Sequence, residues 1–364
     1  MTGQAEHHHP KGPQTSFAPV GDNVVVVGAG MSGICAAAAL RRTGADVTLL
    51  ERDTLGDCST TRRGVPHSGQ LHNLLEAGQR SLEDLLPGYL AELATAGAVR
   101  ASVASDTHVF EMGQRMPERD LGMSIVAAPR ALIELVARRL LLRDGGIRVF
   151  DSTSVVGVRI GDSALELVVS NGRGGTDEQG ADLVVDASGS SSAFPRWLRE
   201  VGYPLRSEVE EVKSWYVTAR FRGPIAETTR PKFWMVFPTA PRSRGGLVSP
   251  IGARRFNVSL NGVAVDDPPR SLDQFHRYAR SLEDPAIAEL LEQSEPLSEP
   301  TVFRRPVATW NHYEELTGSQ LRLIPLGDSF VTLNPLFGQG ISVAAGQAAA
   351  LASVAQGGVS DVAD

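Results

Sequence analysis

The pattern of apolar positions is most regular between residues 23 and 51. The run Asn23–Val27 is typical of a short buried parallel strand. The spacing of Met31–Leu40 predicts a helix that ends near Gly44, and Val47–Leu50 predicts a second strand. Strand, helix and strand in this order predict a β-α-β unit within a parallel sheet.

The remaining pattern predicts helices and strands along most of the chain. Amphipathic spacing favours helices at Leu71–Leu86, Tyr89–Ala96, Arg130–Arg143, Ser271–Ser281 and Asp284–Gln293. Apolar or alternating runs favour strands at Val103–Met112, Ile147–Val149, Val155–Ile160, Leu165–Ser170, Ala181–Gly189, Trp215–Arg222, Lys232–Pro238, Gly246–Pro250, Arg255–Leu260 and Thr301–Thr309. Gly172–Gly180, rich in glycine and acidic residues, is expected to form a hairpin loop.

Composition and charge narrow the class of protein. The chain of 364 residues is 42% apolar and 21% charged, as in an ordinary globular protein, and its net charge is −7. This charge argues against nucleic acid or an anionic membrane as the main partner. We expect no membrane-spanning helix, no metal site and no disulfide. Two cysteines and the lack of an apolar leader fit a cytoplasmic protein.

The turn after the first strand carries the first chemical signal. Gly28, Gly30 and Gly33 form the pattern G-x-G-x-x-G. Gly28 permits a tight turn, Gly30 lets the backbone approach a pyrophosphate, and Gly33 lets helix and strand pack closely. Amides at the helix start would hold the phosphates. Glu51 would accept hydrogen bonds from a ribose, so the stretch predicts a dinucleotide site without naming the dinucleotide.

Two later strands also end in turns of small residues. Asp186 and Gly189 follow an apolar run in the sequence ADLVVDASG. A further strand ends at Gly327 and Asp328. Beyond it, the sequence NPLFGQG leads into a helix that begins near Gly340 and can present amides to a negative group.

These three motifs, in this order, resemble the flavin-dependent monooxygenases of the para-hydroxybenzoate hydroxylase fold, over roughly residues 22–356. The resemblance implies that FAD binds, with Asp328 on its ribityl chain and the helix from Gly340 facing the N1–C2=O edge of the flavin. The cofactor contacts that we infer are Gly28, Gly30, Met31, Ser32, Gly33, Glu51, Arg52, Arg63, Gly64, Arg130, Val155, Asp186, Gly189, Gly327, Asp328, Pro335, Gly338, Gln339, Gly340, Ile341 and Ser342.

The expected architecture is α/β, a Rossmann-like FAD-binding domain interleaved with an antiparallel-sheet substrate domain. We assign residues 22–112, 129–190 and 299–356 to the FAD-binding domain and residues 191–298 to the substrate-binding domain. Residues 1–21 are expected to be a disordered tail. The chain ends about one helix after the last motif, whereas the resembled family continues through more helices, so we expect the C-terminal helices of that family to be missing or truncated here.

Finer details are similar to bacterial polyether epoxidases, such as those of the lasalocid and monensin pathways. They include Glu51-Arg52-Asp53, a loop after the basic pair at residues 62–63, and Tyr216–Arg220. This likeness implies that a flavin C4a-hydroperoxide, formed with O2, epoxidises or hydroxylates a lipophilic, polyketide-like intermediate of antibiotic biosynthesis. The chain shows no second G-x-G-x-x-G, so NAD(P)H would bind transiently or an external flavin reductase would supply electrons.

No side-chain spacing identifies a dedicated catalytic base. His67 and His72 are the histidines closest to the flavin loop and are weak candidates. The aromatic residues expected to floor the substrate cavity, or else to form the core of the second sheet, are Trp215, Phe233, Trp234 and Phe237. The alternative function is an FAD-containing cyclase or pericyclase of natural-product biosynthesis, in which the flavin is structural and no net redox change occurs.

Overall fold

The computed structural model describes residues 23–56, 62, 64–65, 72–143, 145–161, 165–171, 175–225, 229–263, 267–316 and 321–355. The strands in these ranges are β1 Asn23–Val27, β2 Asp46–Leu50, β3 Asn73–Leu74, β4 Val99–Ser102, β5 Thr107–Glu111, β6 Gln114–Arg115, β7 Ser124–Ala127, β8 Ile147–Phe150, β9 Ser154–Ile160, β10 Leu165–Ser170, β11 Thr176–Gly180, β12 Leu183–Asp186, β13 Ser207–Arg222, β14 Phe233–Val236, β15 Gly245–Pro250, β16 Arg255–Val263, β17 Glu295–Pro296, β18 Thr301–Asn311 and β19 Leu323–Pro325. The helices are α1 Met31–Arg41, α2 Glu76–Leu85, α3 Tyr89–Thr95, α4 Arg130–Arg143, α5 Phe194–Glu200, α6 Leu272–Arg280, α7 Ala286–Glu292 and α8 Gly340–Val354.

A parallel sheet carries the predicted β-α-β unit. Its strands lie in the order β19, β12, β1, β2 and β8, and every neighbouring pair is parallel. Helix α1 packs against this sheet and against α4 and α8, and its alanines at positions 36–39 are fully buried. A helix that is apolar on all sides must be enclosed by other elements, which explains its position. The predicted α/β class is confirmed.

An antiparallel excursion separates the first and later strands of the parallel sheet. Strands β9, β10 and β11 pair side by side, and β12 then returns to the parallel sheet beside β1. The sequence predicted a loop at Gly172–Gly180, but residues 176–180 form β11. This prediction was wrong because β11 is a polar edge strand, so its hydrogen bonds to β10, and not apolar residues, define it.

The large sheet joins β17, β13, β16, β15, β14, β5 and β6 in that order, with β18 paired to β13. Its pairs are antiparallel except β14 with β5. Alternate residues of β13, including Trp215 and Val217, pack on one face with Phe275 of α6 and Ile287 of α7. The residues between them, including Tyr216, lie on the opposite face. This second face is turned toward the cavity described below.

The structure moves the boundaries of two predicted elements. The helix predicted at Leu71–Leu86 begins at Glu76, because Asn73 and Leu74 pair with β7 as β3. The strand predicted at Val103–Met112 begins only at Thr107, as β5, because residues 103–106 form a turn between β4 and β5. Asp106 closes that turn by accepting a hydrogen bond from the Ser102 amide at 3.1 Å.

The large sheet draws strands from segments that the sequence-based division assigned to the FAD-binding domain. Strands β5 and β18 both pair with strands of the large sheet. The division into domains stays a prediction. Among the described helices, no helix has the length and apolar character needed to cross a membrane.

Cys35 of α1 provides a test of this buried core. Its side chain is fully buried, and burial raises the pKa of the Cys35 thiol to about 12 from 9.0. At pH 8 the folded protein therefore holds only about one thiolate in 10⁴ molecules. In a Cys58→Ser variant, Cys35 is the one remaining thiol of the chain. We expect it to resist alkylation by iodoacetamide until the protein is unfolded. Rapid labelling of the folded protein would contradict the burial of α1.

Candidate functional site

One cavity of about 640 Å³ lies beyond the carboxyl ends of β1, β2, β12 and β19. Ligands of parallel α/β sheets bind at this edge. The second wall is the large sheet. The lining residues argued below are Gly28, Gly30, Met31, Ser32, Glu51, Arg52, Arg62, Gly64, His72, Asn73, Arg130, Val155, Gly189, Tyr216, Ser259, Phe303, Arg305, Asp328, Asn334, Pro335, Gly338, Gly340 and Ile341.

The three glycines of the first motif have different surroundings. Gly28 has φ of +102°, and a Cβ there would lie 2.6 Å from the Ala187 carbonyl oxygen. A Cβ on Gly33 would lie 1.7 Å from the Gly28 carbonyl oxygen, so helix and strand approach too closely for any side chain. A Cβ on Gly30 would meet no atom within 4 Å. Gly30 therefore leaves open space in the cavity, as an approaching pyrophosphate requires.

Glu51 is the acid at the end of β2, and it is buried in the lining. Its carboxylate accepts hydrogen bonds from the amides of Ala29 at 2.7 Å and Asp53 at 2.9 Å. Arg62 adds an ion pair at 3.2 Å and contacts Glu134 of α4 as well. Burial alone would lower the pKa of Arg62, but Glu134 and Glu51 hold it above its usual value.

Arg62 and Arg63 form the basic pair of the loop after β2. Arg63, the predicted cofactor contact, lies outside the described residues, so its role stays a prediction. Arg62 is the one that the structure places in the lining. A loop without periodicity carries no signal for the direction of its side chains, so the sequence could not separate the two.

Arg130 begins α4 and is buried at the cavity. Its Nη2 lies 3.5 Å from Glu134, while Nε and Nη1 are buried and have no hydrogen-bond partner in the described structure. Burial lowers the pKa of Arg130, and the nearby Glu134 opposes this effect. Buried donors are normally satisfied. Two unsatisfied donors on a guanidinium that lines a cavity fit an anionic ligand such as a phosphate.

Asp186 ends β12 and is fully buried. It accepts hydrogen bonds from the amide and hydroxyl of Ser188 and from the hydroxyl of Ser192, at 3.0, 2.5 and 2.6 Å. Burial raises the pKa of Asp186, and these hydrogen bonds oppose that effect. Asp186 is not in the lining and instead shapes the turn, while Gly189, with φ of +81°, does line the cavity.

The last motif supplies a further part of the cavity lining. Asp328 lies in the lining, and burial raises its pKa, against the effect of nearby Arg305 and Arg130. The Nη2 atom of Arg305 is 3.5 Å from the Asp328 carboxylate. Cβ atoms on Gly338 and Gly340 would meet nothing within 4 Å, so the start of α8 presents open backbone to the cavity.

The structure brings most of the predicted cofactor contacts into the lining, from Gly28 through Ile341. Five others among the described residues lie outside the lining: Gly33, Asp186, Gly327, Gln339 and Ser342. Gly327, for example, packs so closely on Ser32 that a Cβ would lie 2.2 Å from its hydroxyl. Of the two histidines, His72 lines the cavity, whereas His67 lies outside the described residues.

The four aromatic residues predicted to floor the substrate cavity are not in its lining. Trp215 packs edge-on against Tyr278 in the core behind the large sheet, and Trp234 packs against the same core. Phe233 is fully buried in a small cluster with Ile125, and Phe237 is not in the lining either. The alternative noted above, that these residues form the core, describes Trp215, Phe233 and Trp234.

The sheet residues that do line the cavity were missed as site residues: Tyr216, Ser259, Phe303 and Arg305. Asn334, which accepts a hydrogen bond from the Tyr216 hydroxyl at 3.0 Å, was missed too. A signal existed in the alternation of β13. Since Trp215 and Val217 are the more apolar positions and face the core, Tyr216 must face the other side.

These observations test whether an FAD cofactor fits. The open backbone at Gly30 and Gly340 and the unsatisfied guanidinium of Arg130 stand along one cavity. Glu51 and Asp328 both lie in the lining of this cavity, and Arg130 lies near the Asp328 carboxylate. A set of amides, a guanidinium and carboxylates suits a phosphate flanked by hydroxyl-bearing groups. The residues present fit the group.

Comparison with known proteins agrees with this geometry. A family model described as FAD dependent oxidoreductase matches residues 23–196. Over this stretch the chain is similar to that family. The matched segment contains the glycine motif, Glu51, Arg130 and Asp186, so the similarity covers the dinucleotide half of the cavity.

Other similar proteins extend the likeness over most of the chain. Protein Rv3254 of Mycobacterium tuberculosis (strain ATCC 25618 / H37Rv) is 28% identical over 353 residues, which cover 90% of this chain and 71% of that protein. The solved structure of p-nitrophenol 4-monooxygenase PnpA from Pseudomonas putida DLL-E4 matches with a TM-score of 0.65 at 18% identity, covering 92% of this chain and 79% of that one. The flavin-dependent brominase Bmp2 matches with a TM-score of 0.70 at 14% identity, covering 94% and 79%. These likenesses to solved structures show a shared fold.

Proposed function

We propose that the protein is an FAD-dependent monooxygenase that transfers one oxygen atom from O2 to a small molecule of natural-product biosynthesis, by epoxidation or hydroxylation. The observation that carries the proposal is the double wall of the cavity. The dinucleotide motif and the start of α8 form one side, and the large sheet forms the other. A second molecule bound against the sheet would therefore face the cofactor.

When bound and reduced, FAD supplies the electrons that activate O2. The chain supplies the surroundings. Glu51 and Arg130 would hold the ADP half, and Asp328 would orient the ribityl chain. The amides at the start of α8, a helix of 15 residues, would stabilise negative charge at the N1–C2=O edge of the flavin. The large sheet closes the other side and excludes water.

The choice between epoxidation and hydroxylation depends on whether a base is needed. An alkene needs no deprotonation before oxygen transfer, whereas a phenol reacts better as its anion. His72 is the one predicted base that the described structure places in the lining. The sequence resemblance to polyether epoxidases supports the alkene. We further propose that NAD(P)H or a separate flavin reductase supplies the electrons.

The decisive assay separates oxygen transfer from the cyclase alternative. FAD-loaded protein with NAD(P)H or an added reductase should incorporate one oxygen atom from isotopically labelled O2 into each product molecule, and none from labelled water. The control is the same protein with oxidised FAD in the absence of O2. Product formed under those anaerobic conditions would overturn the monooxygenase proposal in favour of a non-redox cyclase.

A further inference from the structure

Three of the four residues of the large sheet that line the cavity are polar, whereas the other side of the sheet carries an apolar core. The three are Tyr216, Ser259 and Arg305, and the fourth is Phe303. Thr218 of β13 lies on the same face as Tyr216, and its hydroxyl donates to Ser259 at 3.1 Å. A wall for a hydrocarbon chain would be lined mainly by apolar side chains, because each polar group buried there needs a hydrogen-bond partner.

Two further hydrogen bonds join polar residues of the sheet to residues of the lining outside the sheet. Ser249 of β15 lies 3.2 Å, oxygen to oxygen, from Asn73 of the lining. The Tyr216 hydroxyl joins the sheet to Asn334 at 3.0 Å. Asn257 of β16 lies on the same face as Ser259, and its Oδ1 is buried without a partner in the described part of the chain. This surface is suited to oxygen-bearing groups.

Arg305 is the cation of this wall. Its Nε is buried and has no hydrogen-bond partner among the described residues. The contact from Nη2 to Asp328, at 3.5 Å, is longer than the 2.7–2.9 Å typical of a charge-assisted hydrogen bond. Arg130, which pairs with Glu134, also lies near the Asp328 carboxylate. The unsatisfied Nε of Arg305 is therefore the donor that an anion on this wall would use.

The backbone around Arg305 is shaped to place this side chain. The β13–β18 register shifts between Glu211 and Ser214, which leaves one extra residue in β13. Lys213, within this bulge, has φ of +46°. Pro306, which has no amide hydrogen, lies in the partner strand at the same place. Bulges beside functional sites commonly redirect a side chain, and this one adjoins Arg305.

We propose that the substrate is an oxygen-rich organic acid whose carboxylate or enolate pairs with Arg305, while its hydroxyl or carbonyl groups bind along the Tyr216–Ser259 wall. This inference rests on the proposed oxygen transfer in the same cavity and deepens it. It replaces a purely lipophilic substrate with a polyoxygenated one. A nicotinamide dinucleotide also carries anionic groups, so the test includes that second source of negative charge.

The experiment measures binding to FAD-loaded, oxidised protein through the change in flavin absorbance, with no turnover required. The probes are hydroxylated naphthoic acids and their matched carboxamides. We expect each acid that binds to do so at least about 10-fold more tightly than its amide. In Arg305→Gln this preference should fall to about 2-fold or less, and Arg305→Lys should retain part of it. The matched control is Arg304→Gln, because Arg304 is the exposed neighbour on the other face of β18.

The FAD content of each variant, read from its visible spectrum, shows that the protein is folded and loaded. If Arg305→Gln loses FAD, the preference for acid over amide is compared between Arg305→Lys and the wild type instead. This preference should be smaller in Arg305→Lys. Three results would overturn the proposal: equal affinity for acid and amide, a preference for the acid that survives in Arg305→Gln, or no binding by any acid. So would an Arg305→Gln variant that weakens NADPH binding alone. The assay measures binding and requires no turnover. A protein that transfers no oxygen would therefore refute the proposed function, while the preference for acid over amide could still be measured.

Discussion

Replacing Gly30 with valine is expected to abolish FAD binding while the apoprotein stays folded. A Cβ at this position meets no protein atom within 4 Å, and the φ and ψ of Gly30, −75° and −176°, suit any residue. The added side chain therefore occupies only the space that the pyrophosphate needs. We expect the affinity for FAD to fall at least about 100-fold, since losing a phosphate's contacts with backbone amides costs several kcal/mol. Titration of the apoprotein with FAD, followed by flavin fluorescence, measures this loss.

Gly33→Ala is the matched comparison, and the opposite result is expected. The new methyl group would lie 1.7 Å from the Gly28 carbonyl oxygen, so α1 and β1 must separate. This substitution should lower the thermal midpoint of the apoprotein sharply, whereas Gly30→Val should leave it unchanged. If both variants unfold, or if Gly30→Val still binds FAD tightly, the assignment of the open space to the cofactor is wrong.

Replacing Arg130 with methionine is expected to weaken FAD binding about 100-fold, because truncating one member of a buried charge pair costs roughly 2–5 kcal/mol. The apoprotein should not lose stability. In the structure Arg130 is buried with two unsatisfied donors, and its partner Glu134 keeps contacts with Arg62 and Arg138. Breaking a buried pair is costly when the remaining charge is left uncompensated, and here Arg62 and Arg138 still neutralise Glu134. Calorimetric titration with FAD and the thermal midpoint of the apoprotein test the two halves of this prediction.

Arg139→Met is the control, because Arg139 lies on the same helix but is exposed. It should change neither the affinity for FAD nor the thermal midpoint by a measurable amount. A strongly destabilised Arg130→Met apoprotein with unchanged FAD affinity would show that Arg130 serves the fold alone. That outcome would remove the phosphate-binding role from this account.

The sequence predicts the dinucleotide half of the site well because its signals are local. The strand, the three glycines, the helix and Glu51 follow one another within 29 residues, and each has its own steric or electrostatic requirement. Helix α4, with Arg130 at its start, was predicted with its observed bounds. In these cases the backbone conformation required by the function can be read from residue types alone.

The rest of the cavity depends on contacts between distant segments. Arg62 reaches Glu134, 72 residues away, from a loop without periodicity. Strand β11 is defined by its partner, since its residues are polar. Aromatic content pointed to Trp215 and Phe233 as the substrate floor, but sheet register turns both into the core and turns Tyr216 and Arg305 to the cavity. Register is a tertiary property, so composition could not decide it.

The most direct test of the central claim is a titration of the apoprotein with FAD and, separately, with FMN. We expect one FAD bound per chain and a yellow complex. We also expect at least about 100-fold weaker binding of FMN, because FMN lacks the AMP half and therefore the pyrophosphate that Gly30, Glu51 and Arg130 would help to hold. Failure to bind FAD, or equal affinity for FAD and FMN, would contradict the assignment of this cavity to the cofactor.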